Sequence, residues 1–242
     1  VNRETAREWT LELSRKYLTG EPDAYSTFLH LAETSCPEGG RVVDLGCGEE
    51  EYLTYLIGKA GEIIGVDSKM VEGPYHRYIE ADLNLELPLG RASVDLAASK
   101  FLLEHLDKPA QFLKQAFRIL RPGGSLVLMT PNILYYPYSI NYLLSHCLPQ
   151  ERRMRLVEQV TGRPLEDVFP VQYRCNTPSK VKRWLMQAGF EVAHLQTYND
   201  CLVSAFNRPL GAIAVAYEKG INILGLKGLK GFIVAEARKG WD

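Results

Sequence analysis

The stretch Val42-Val43-Asp44-Leu45-Gly46-Cys47-Gly48 constrains this chain more than any other. Two β-branched residues and a leucine suit a strand covered on both faces. Gly46 and Gly48 then supply torsions, and a closeness of backbone approach, that a Cβ would forbid. The pattern predicts a helix opening at Glu49, whose first N–H groups would face an anionic group over the turn. A small ligand carrying a carboxylate or phosphate is expected there.

What is missing narrows the ligand. A dinucleotide fingerprint needs Gly-x-Gly-x-x-Gly, and here the third position is Glu51. Glu49-Glu50-Glu51 would repel a pyrophosphate, and no Lys-Ser/Thr pair follows to make a P-loop.

Strand and helix signals alternate from Arg41 onward, the pattern of a doubly wound, mostly parallel sheet with helices on both faces. Tyr52, Leu53, Leu56 and Ile57 predict one apolar face of the first crossover helix. Further strands are expected over residues 63–67, 78–82, 94–99 and 125–129. Asp107 is placed to cap a helix with Pro109 in its first turn and Phe112, Leu113, Ala116, Phe117 and Leu120 facing the sheet. Arg121-Pro122-Gly123-Gly124 reads as a turn. Thr177 and Pro178 open a later helix that Gly189 closes. Residues 190–197 and 231–237 complete the sheet, most simply as an antiparallel addition at its edge.

Three stretches flank this core. Residues 1–39 read as two helices, the first with Ala6, Trp9, Leu13 and Tyr17 on one side. Residues 131–176 are rich in Tyr, Pro and Arg and read as an insertion with helices near 139–147 and 151–161. The aliphatic helix expected from 209 to 224 places Ile213, Tyr217, Gly220, Ile221 and Leu224 on one stripe. It packs on the sheet or touches a lipid-linked substrate at a membrane surface. The whole is read as a single domain: a helical cap (1–39), a binding core (40–130), an insertion (131–176) and a completing segment (177–242).

Composition removes other classes. A formal net charge of −1 gives no electrostatic footprint for a nucleic acid. Five scattered cysteines with no CxxC argue against a disulfide framework and a zinc site. A reducing, cytoplasmic setting is expected. The polar start is unlike a secretory leader, and Val1 in place of Met reads as a trimmed end. Lysines and a glutamate interrupt residues 209–237, so no segment reaches the ~20 apolar residues of a membrane span.

In a doubly wound sheet the ligand lies beyond the carboxyl ends of the strands. Those ends read Asp44, Asp67, Asp82 and Ser99-Lys100. The interval from Gly48 to Asp67 is close to the ~20 residues expected for a carboxylate on ribose hydroxyls.

With these residues in order, the chain resembles the class I S-adenosylmethionine (SAM) dependent methyltransferases of the small, ubiquinone-biosynthesis-like (type 11) family. The matching stretches are Val42 to Gly48, Gly65-Val66-Asp67, Glu80-Ala81-Asp82-Leu83, Val94-Asp95 with Leu103-Glu104-His105-Leu106, and Arg118 to Gly124. A weaker match runs from Met186 to Val192. The resemblance implies a seven-stranded sheet with an antiparallel last strand, SAM as cofactor and S-adenosyl-L-homocysteine as its product.

It also implies roles. Gly46, Cys47 and Gly48 would approach the methionine part of SAM, with Asp44 beneath. Asp67, with Ser68 beside it, would accept from the ribose hydroxyls. Asp82 and the Leu83 N–H would meet the adenine, and Ser99 and Lys100 the methionine ammonium. Glu50 stands where the family usually has its third glycine.

Methyl transfer is an in-line displacement to which alignment alone can contribute ~7–11 kcal/mol. An oxygen acceptor would profit from a general base, for which His105 and His146 are the candidates. Tyr17, Tyr135, Tyr138, Tyr142, Tyr173 and Arg174 are expected to line the acceptor side, taking a small, hydrophobic or sugar- or lipid-linked metabolite. A non-catalytic SAM-binding scaffold and a tRNA-modifying methyltransferase remain as alternatives.

Overall fold

A computed structural model describes residues 3–49, 52–70, 72–149, 152, 155 and 171–241, without the side chains of residues 145 and 146. Glu50, Glu51 and most of the helix expected over 151–161 lie outside the described residues. The chain divides into two units. The sheet unit comprises Ala24–Thr130, Gln172–Gln196 and Ile233–Asp242, and the helical unit Val1–Asp23, Pro131–Val171 and Thr197–Phe232.

Seven strands form one sheet in the order β3-β2-β1-β4-β5-β7-β6. They are β1 (Arg41–Leu45), β2 (Glu62–Asp67), β3 (Arg77–Glu80), β4 (Val94–Lys100), β5 (Leu120–Pro131), β6 (Glu191–Tyr198) and β7 (Phe232–Arg238). The first five run parallel, with Asp44 in register with Gly65 on one side and Ala98 on the other. From β1 the chain builds outward first through β2 and β3, then returns to β4, so the order reverses between β1 and β4. That is the topological switch point of a doubly wound sheet. The last strand is antiparallel to β5, with Gly123 and Lys239 donating at 2.9 Å to the carbonyls of Lys239 and Gly124.

The sequence periodicities explain the layers. In α3 (Pro109–Ile119), Phe112, Leu113 and Ala116 recur at helical spacing and are buried with Val43, Leu45 and Leu126 of the sheet. In α5 (Pro178–Gln187), Val181 and Leu185 join the same core, and Thr177 Oγ1 caps the helix by accepting the Lys180 N–H at 3.3 Å. Gly189 ends that helix region at φ +105°, where a Cβ would lie 2.9 Å from Phe117. The α2 helix (Ala24–Ser35) buries Ala24, Phe28 and Ala32.

Three expectations are corrected. After β1 the described residues form only turns and a short 3₁₀ segment, Thr54–Leu56, in place of a regular crossover helix. Arg121-Pro122-Gly123-Gly124 lies inside β5, where the positive φ of Gly123 (+78°) and a register shift opposite Val94 and Leu96 absorb the turn into the strand. Asp107 does not cap α3; its own N–H and that of Lys108 are accepted instead by Asn84 Oδ1, at 2.8 and 3.1 Å.

The helical unit contains α1 (Arg3–Tyr17), α4 (Tyr136–Cys147) and α6 (Arg208–Ile223). α6 packs on α1. Its buried line is Gly211, Ala214, Val215, Glu218 and Ile221, offset from the expected stripe. The facing line on α1 is Ala6 and Thr10, and a Cβ on Gly211 would meet Thr10 Oγ1 at 2.0 Å. Small residues let the two backbones approach. Tyr135 fills the remaining interior, fully buried, its hydroxyl donating to the Asp200 carbonyl at 2.9 Å.

Candidate functional site

Parallel pairing brings the ends of β1, β2 and β4 to one edge of the sheet unit, and the residues there form a connected group. The glycine turn is anchored from beneath: Gly46 and Cys47 donate to the Val66 carbonyl at 2.8 and 3.3 Å. Gly48 donates to Asp67 Oδ2 at 2.9 Å. These three N–H groups are therefore spent within the turn, so the expected array of free donors is not what faces a ligand here. Gly46 and Gly48 take φ of +79° and +52°. A Cβ on Gly46 would press on Leu102 at 3.1 Å, whereas one on Gly48 would meet nothing within 4 Å among the described residues. The turn thus has a packed side and an open side.

Asp44 lies below this turn, fully buried. Tyr52 donates to its Oδ1, and Tyr75 to its Oδ2 at 3.0 Å. Burial pushes the Asp44 carboxyl up to about 7; the two phenol hydrogen bonds and the Lys100 ammonium pull the other way. Cys47, buried beside Asp44 and Asp67, is pushed up to about 12 by burial and by those two carboxylates, and stays a thiol.

Asp67 is half-buried at the end of β2. Its Oδ1 accepts from Ser68 Oγ at 3.2 Å and the Lys69 N–H at 3.3 Å. Each carboxylate oxygen has two lone pairs, so Oδ2, which among the described residues accepts from Gly48 alone, retains capacity for a ligand hydroxyl. Asp82 is exposed, and its Oδ1 accepts from the backbone and side-chain nitrogens of Asn84 at 2.8 and 3.1 Å. Leu83 next to it is buried in the main core.

Ser99 is buried near the end of β4, and Lys100 follows with its Nζ above three rings: Tyr52 at 4.7 Å, Tyr25 at 5.4 Å and Phe101 at 5.5 Å. Phe101 holds φ +56°, an uncommon value for a residue with a Cβ. Its N–H donates to the Met129 carbonyl at 2.9 Å. Carboxylates and aromatic faces together make this edge a cation-attracting one, and a cation already sits on the rings.

His105 stands just past β4, its Nε2 3.9 Å from Glu104 Oε1 and its side chain about one-third exposed at 31%. Glu104 turns inward. It accepts from Thr130 Oγ1 at 3.0 Å, and Asn176 Nδ2 donates to that threonine at 2.6 Å. Burial pushes the Glu104 carboxyl up to about 7. The Glu104 carbonyl also accepts from Gln172 at 2.6 Å and Tyr173 at 3.1 Å, which brings Tyr173 and Arg174 to the same neighbourhood. Arg174 pairs with Asp107 at 3.4 Å, both half-exposed.

Tyr17, Tyr135, Tyr138 and Tyr142 belong to the helical unit. There Tyr138 donates to Asp200 Oδ2 at 2.5 Å, and Tyr17 lies exposed beneath Lys16 and Lys219. The His146 side chain lies outside the described residues. Tyr52, Tyr75, Asn84 and Glu104 were not anticipated as site residues. Tyr52 read as part of an apolar helix face and Tyr75 sits in an unpatterned turn. Only the Asp82-x-Asn84 spacing, an Asx turn, carried a local signal.

The set of groups fits a small cationic nucleoside better than a polyphosphate: carboxylates at the ends of two adjacent strands beside the glycine turn, an open glycine, and aromatic faces. Residues 17–195 match a family model described as a methyltransferase domain. A probable S-adenosylmethionine-dependent methyltransferase of Mycolicibacterium smegmatis is 40% identical over 100 residues, 39% of this chain and 39% of that one. A 27-O-demethylrifamycin SV methyltransferase of Amycolatopsis mediterranei is 32% identical over 104 residues, 37% and 38% of the two chains. The match thus spans well under half of these relatives' own length. Among solved structures, an S-adenosylmethionine-dependent methyltransferase from Mesorhizobium loti superposes with a TM-score of 0.56 at 21% identity, covering 87% of this chain and 96% of that one. At that identity the likeness shows the fold.

Proposed function

The chain belongs to the methyltransferase domain family, and on that premise we propose that it transfers a methyl group from SAM to a small-molecule acceptor. The observation that carries the reading is the joint placement of the open glycine turn, Asp44 and Asp67 at the switch point of the sheet. When bound, the cofactor supplies a methyl group on a cationic sulfur. The protein's part is to hold and align.

Asp67 accepts from the ribose hydroxyls through the lone pair left on Oδ2, and Asp82 accepts from the adenine amino group. Asp44 supplies negative charge beneath the turn, beside the methionine end, and Ser99 and Lys100 offer backbone groups there. Cys47 and Ser68 complete the wall. His105 is the proton acceptor for a hydroxyl acceptor, exposed enough to meet it. Tyr173 and Arg174, tied to the Glu104 carbonyl and to Asp107, are the acceptor contacts assigned within the sheet unit. Oxygen is the favoured nucleophile, in keeping with a relative named for a demethylrifamycin. For Tyr17, Tyr135, Tyr138 and Tyr142 a place in the acceptor pocket rests on the family resemblance alone.

Titration calorimetry with SAM and S-adenosyl-L-homocysteine tests the site. Asp67→Ala removes a ribose partner and frees the Gly48 N–H, so a loss of about 1–3 kcal/mol in binding is expected. Wild-type affinity in that variant would refute the placement. An enzyme that binds the cofactor yet is inert toward hydroxyl acceptors while alkylating amines would refute the choice of oxygen.

A further inference from the structure

The α6 helix of the helical unit is apolar on its outer side as well as its inner one. Its only carboxylate, Glu218, is fully buried, while Ile213, Ile223 and Leu224 are 57%, 74% and 70% exposed. A surface helix ordinarily sends apolar residues to the core and charges outward; a helix apolar on its outer side as well needs a second apolar surrounding. At 3.6 residues per turn, Ile223, Ala216, Ile213 and Leu224 fall on one arc opposite the buried line, with Lys219 along its flank. The apolar run continues past the helix through Leu226, 47% exposed, to the exposed Lys227.

Charge decides what covers this face. From Arg208 to Lys230 the cationic residues are Arg208, Lys219, Lys227 and Lys230, against the single buried Glu218. Lys230 is itself buried and paired with Glu21 at 2.5 Å. The exposed part of the segment therefore presents apolar groups and cations and no anion. Lys219 Nζ sits 5.0 Å above the ring of Tyr17, an exposed tyrosine that Lys16 also covers at 5.2 Å. Amphipathic rings and long basic stems at the rim of an apolar patch suit a boundary between hydrocarbon and phosphate. A second copy of the chain on the same patch would bring like cations to one seam, which is unfavourable. No helix among the described residues is long and apolar enough to cross a membrane, so the face lies on a surface and does not span one.

We propose that the outer face of α6 and the turn after it dock on an anionic lipid surface. Ile213, Ile223, Leu224 and Leu226 enter the acyl boundary, and Lys219 and Lys227 stay among the phosphates.

Co-sedimentation with vesicles tests this, using phosphatidylcholine alone and phosphatidylcholine mixed equally with phosphatidylglycerol. The wild-type chain is expected to bind the mixed vesicles, and to bind more weakly as salt is added. Leu224→Glu and Ile223→Glu are each expected to weaken binding at least about tenfold, since a carboxylate must then enter the boundary. Lys219→Glu and Lys227→Glu are expected to cost about fivefold or more each, with a loss that shrinks at high salt. Far-ultraviolet circular dichroism and SAM affinity, unchanged in these variants, separate lost docking from lost fold. Wild-type protein that ignores both vesicles would overturn the proposal. So would equal binding by Leu224→Glu, or light scattering that shows a dimer which Leu224→Glu dissolves.

Discussion

The Tyr75 hydroxyl donates to Asp44 Oδ2 at 3.0 Å and accepts the Leu53 N–H at 3.1 Å. One phenol oxygen thus joins the carboxylate beneath the glycine turn to the chain that follows the turn. Burial holds the Asp44 carboxyl near 7, and the phenol opposes that rise by stabilising the charged form. Tyr75→Phe should therefore move the Asp44 titration to higher pH. An ionised Asp44 attracts the cationic cofactor, so SAM affinity should fall as pH drops through about 7, and in Tyr75→Phe the fall should begin at higher pH. Calorimetry between about pH 6 and 9 reads this directly. Coincident pH profiles would leave Tyr75 a packing residue.

Asn84 links two parts of the site edge. Its Nδ2 donates to Asp82 at 3.1 Å, while its Oδ1 accepts from Asp107 and Lys108 at the start of α3. Asn84→Ala should cost about 1–2 kcal/mol of stability, the scale of a lost cap. It should also weaken SAM binding modestly by loosening Asp82. Asn84→Asp keeps the acceptor and loses the donor, so it should recover most of the stability in a denaturant titration but less of the affinity. Equal recovery of both would show that Asp82 needs no side-chain support.

The strands and their carboxylates were legible because a buried parallel strand writes a continuous apolar run and ends at a defined residue. Asp44 and Asp67 fall where β1 and β2 end, and the switch point follows from their order. The partners of Asp44 were not legible. Tyr52 belongs to an apolar periodicity that points to a helix which does not form, Tyr75 comes from a turn without periodicity, and only the folded chain brings them to Asp44. For α6 the period was right and the phase wrong. A search for the most apolar stripe passes over Gly211 and Glu218, yet close backbone approach to α1 puts both on the buried side. Apolarity locates a core face only when the opposite face is water.

Glu218 carries a pH dependence of stability. Its Oε1 accepts the Asp200 N–H at 2.9 Å, Oε2 is buried without a hydrogen-bond partner among the described residues, and the nearby Tyr135 hydroxyl and Lys230 favour the charged form. Burial pushes its carboxyl up to about 7 from 4.5, and Asp200 beside it is likewise pushed up to about 7. A folded-state value above the unfolded one means the native state binds the proton more tightly. The associated stability is therefore full below about pH 4 and is lost as pH rises through about 7. Glu218→Gln keeps the acceptor for Asp200 and removes the ionisation. It should raise stability at pH 8 by about 1–3 kcal/mol and do little at pH 5. Urea melts at the two pH values decide; an equal change at both would show that the charge is not the source.

Gly211 and Thr10 mark where α6 crosses α1 most closely. Thr10 is fully buried, its Oγ1 donating to the Ala6 carbonyl at 2.7 Å, and a Cβ on Gly211 would stand 2.0 Å from that oxygen. An alanine in a helix ordinarily gains up to ~1 kcal/mol over glycine. Here the overlap reverses the sign, because the nearest atom is a β-branched side chain fixed by its own hydrogen bond. Gly211→Ala should destabilise by about 1–3 kcal/mol. Thr10→Ala alone should cost less, and the double variant should be more stable than Gly211→Ala, since removing Oγ1 opens the space the new methyl needs. The Thr10 Cβ, 3.1 Å from the built position, keeps the rescue partial. A denaturant cycle over the four proteins measures the coupling. Additive losses would mean that the helices separate to accept the methyl group and that the close approach is not fixed by this pair.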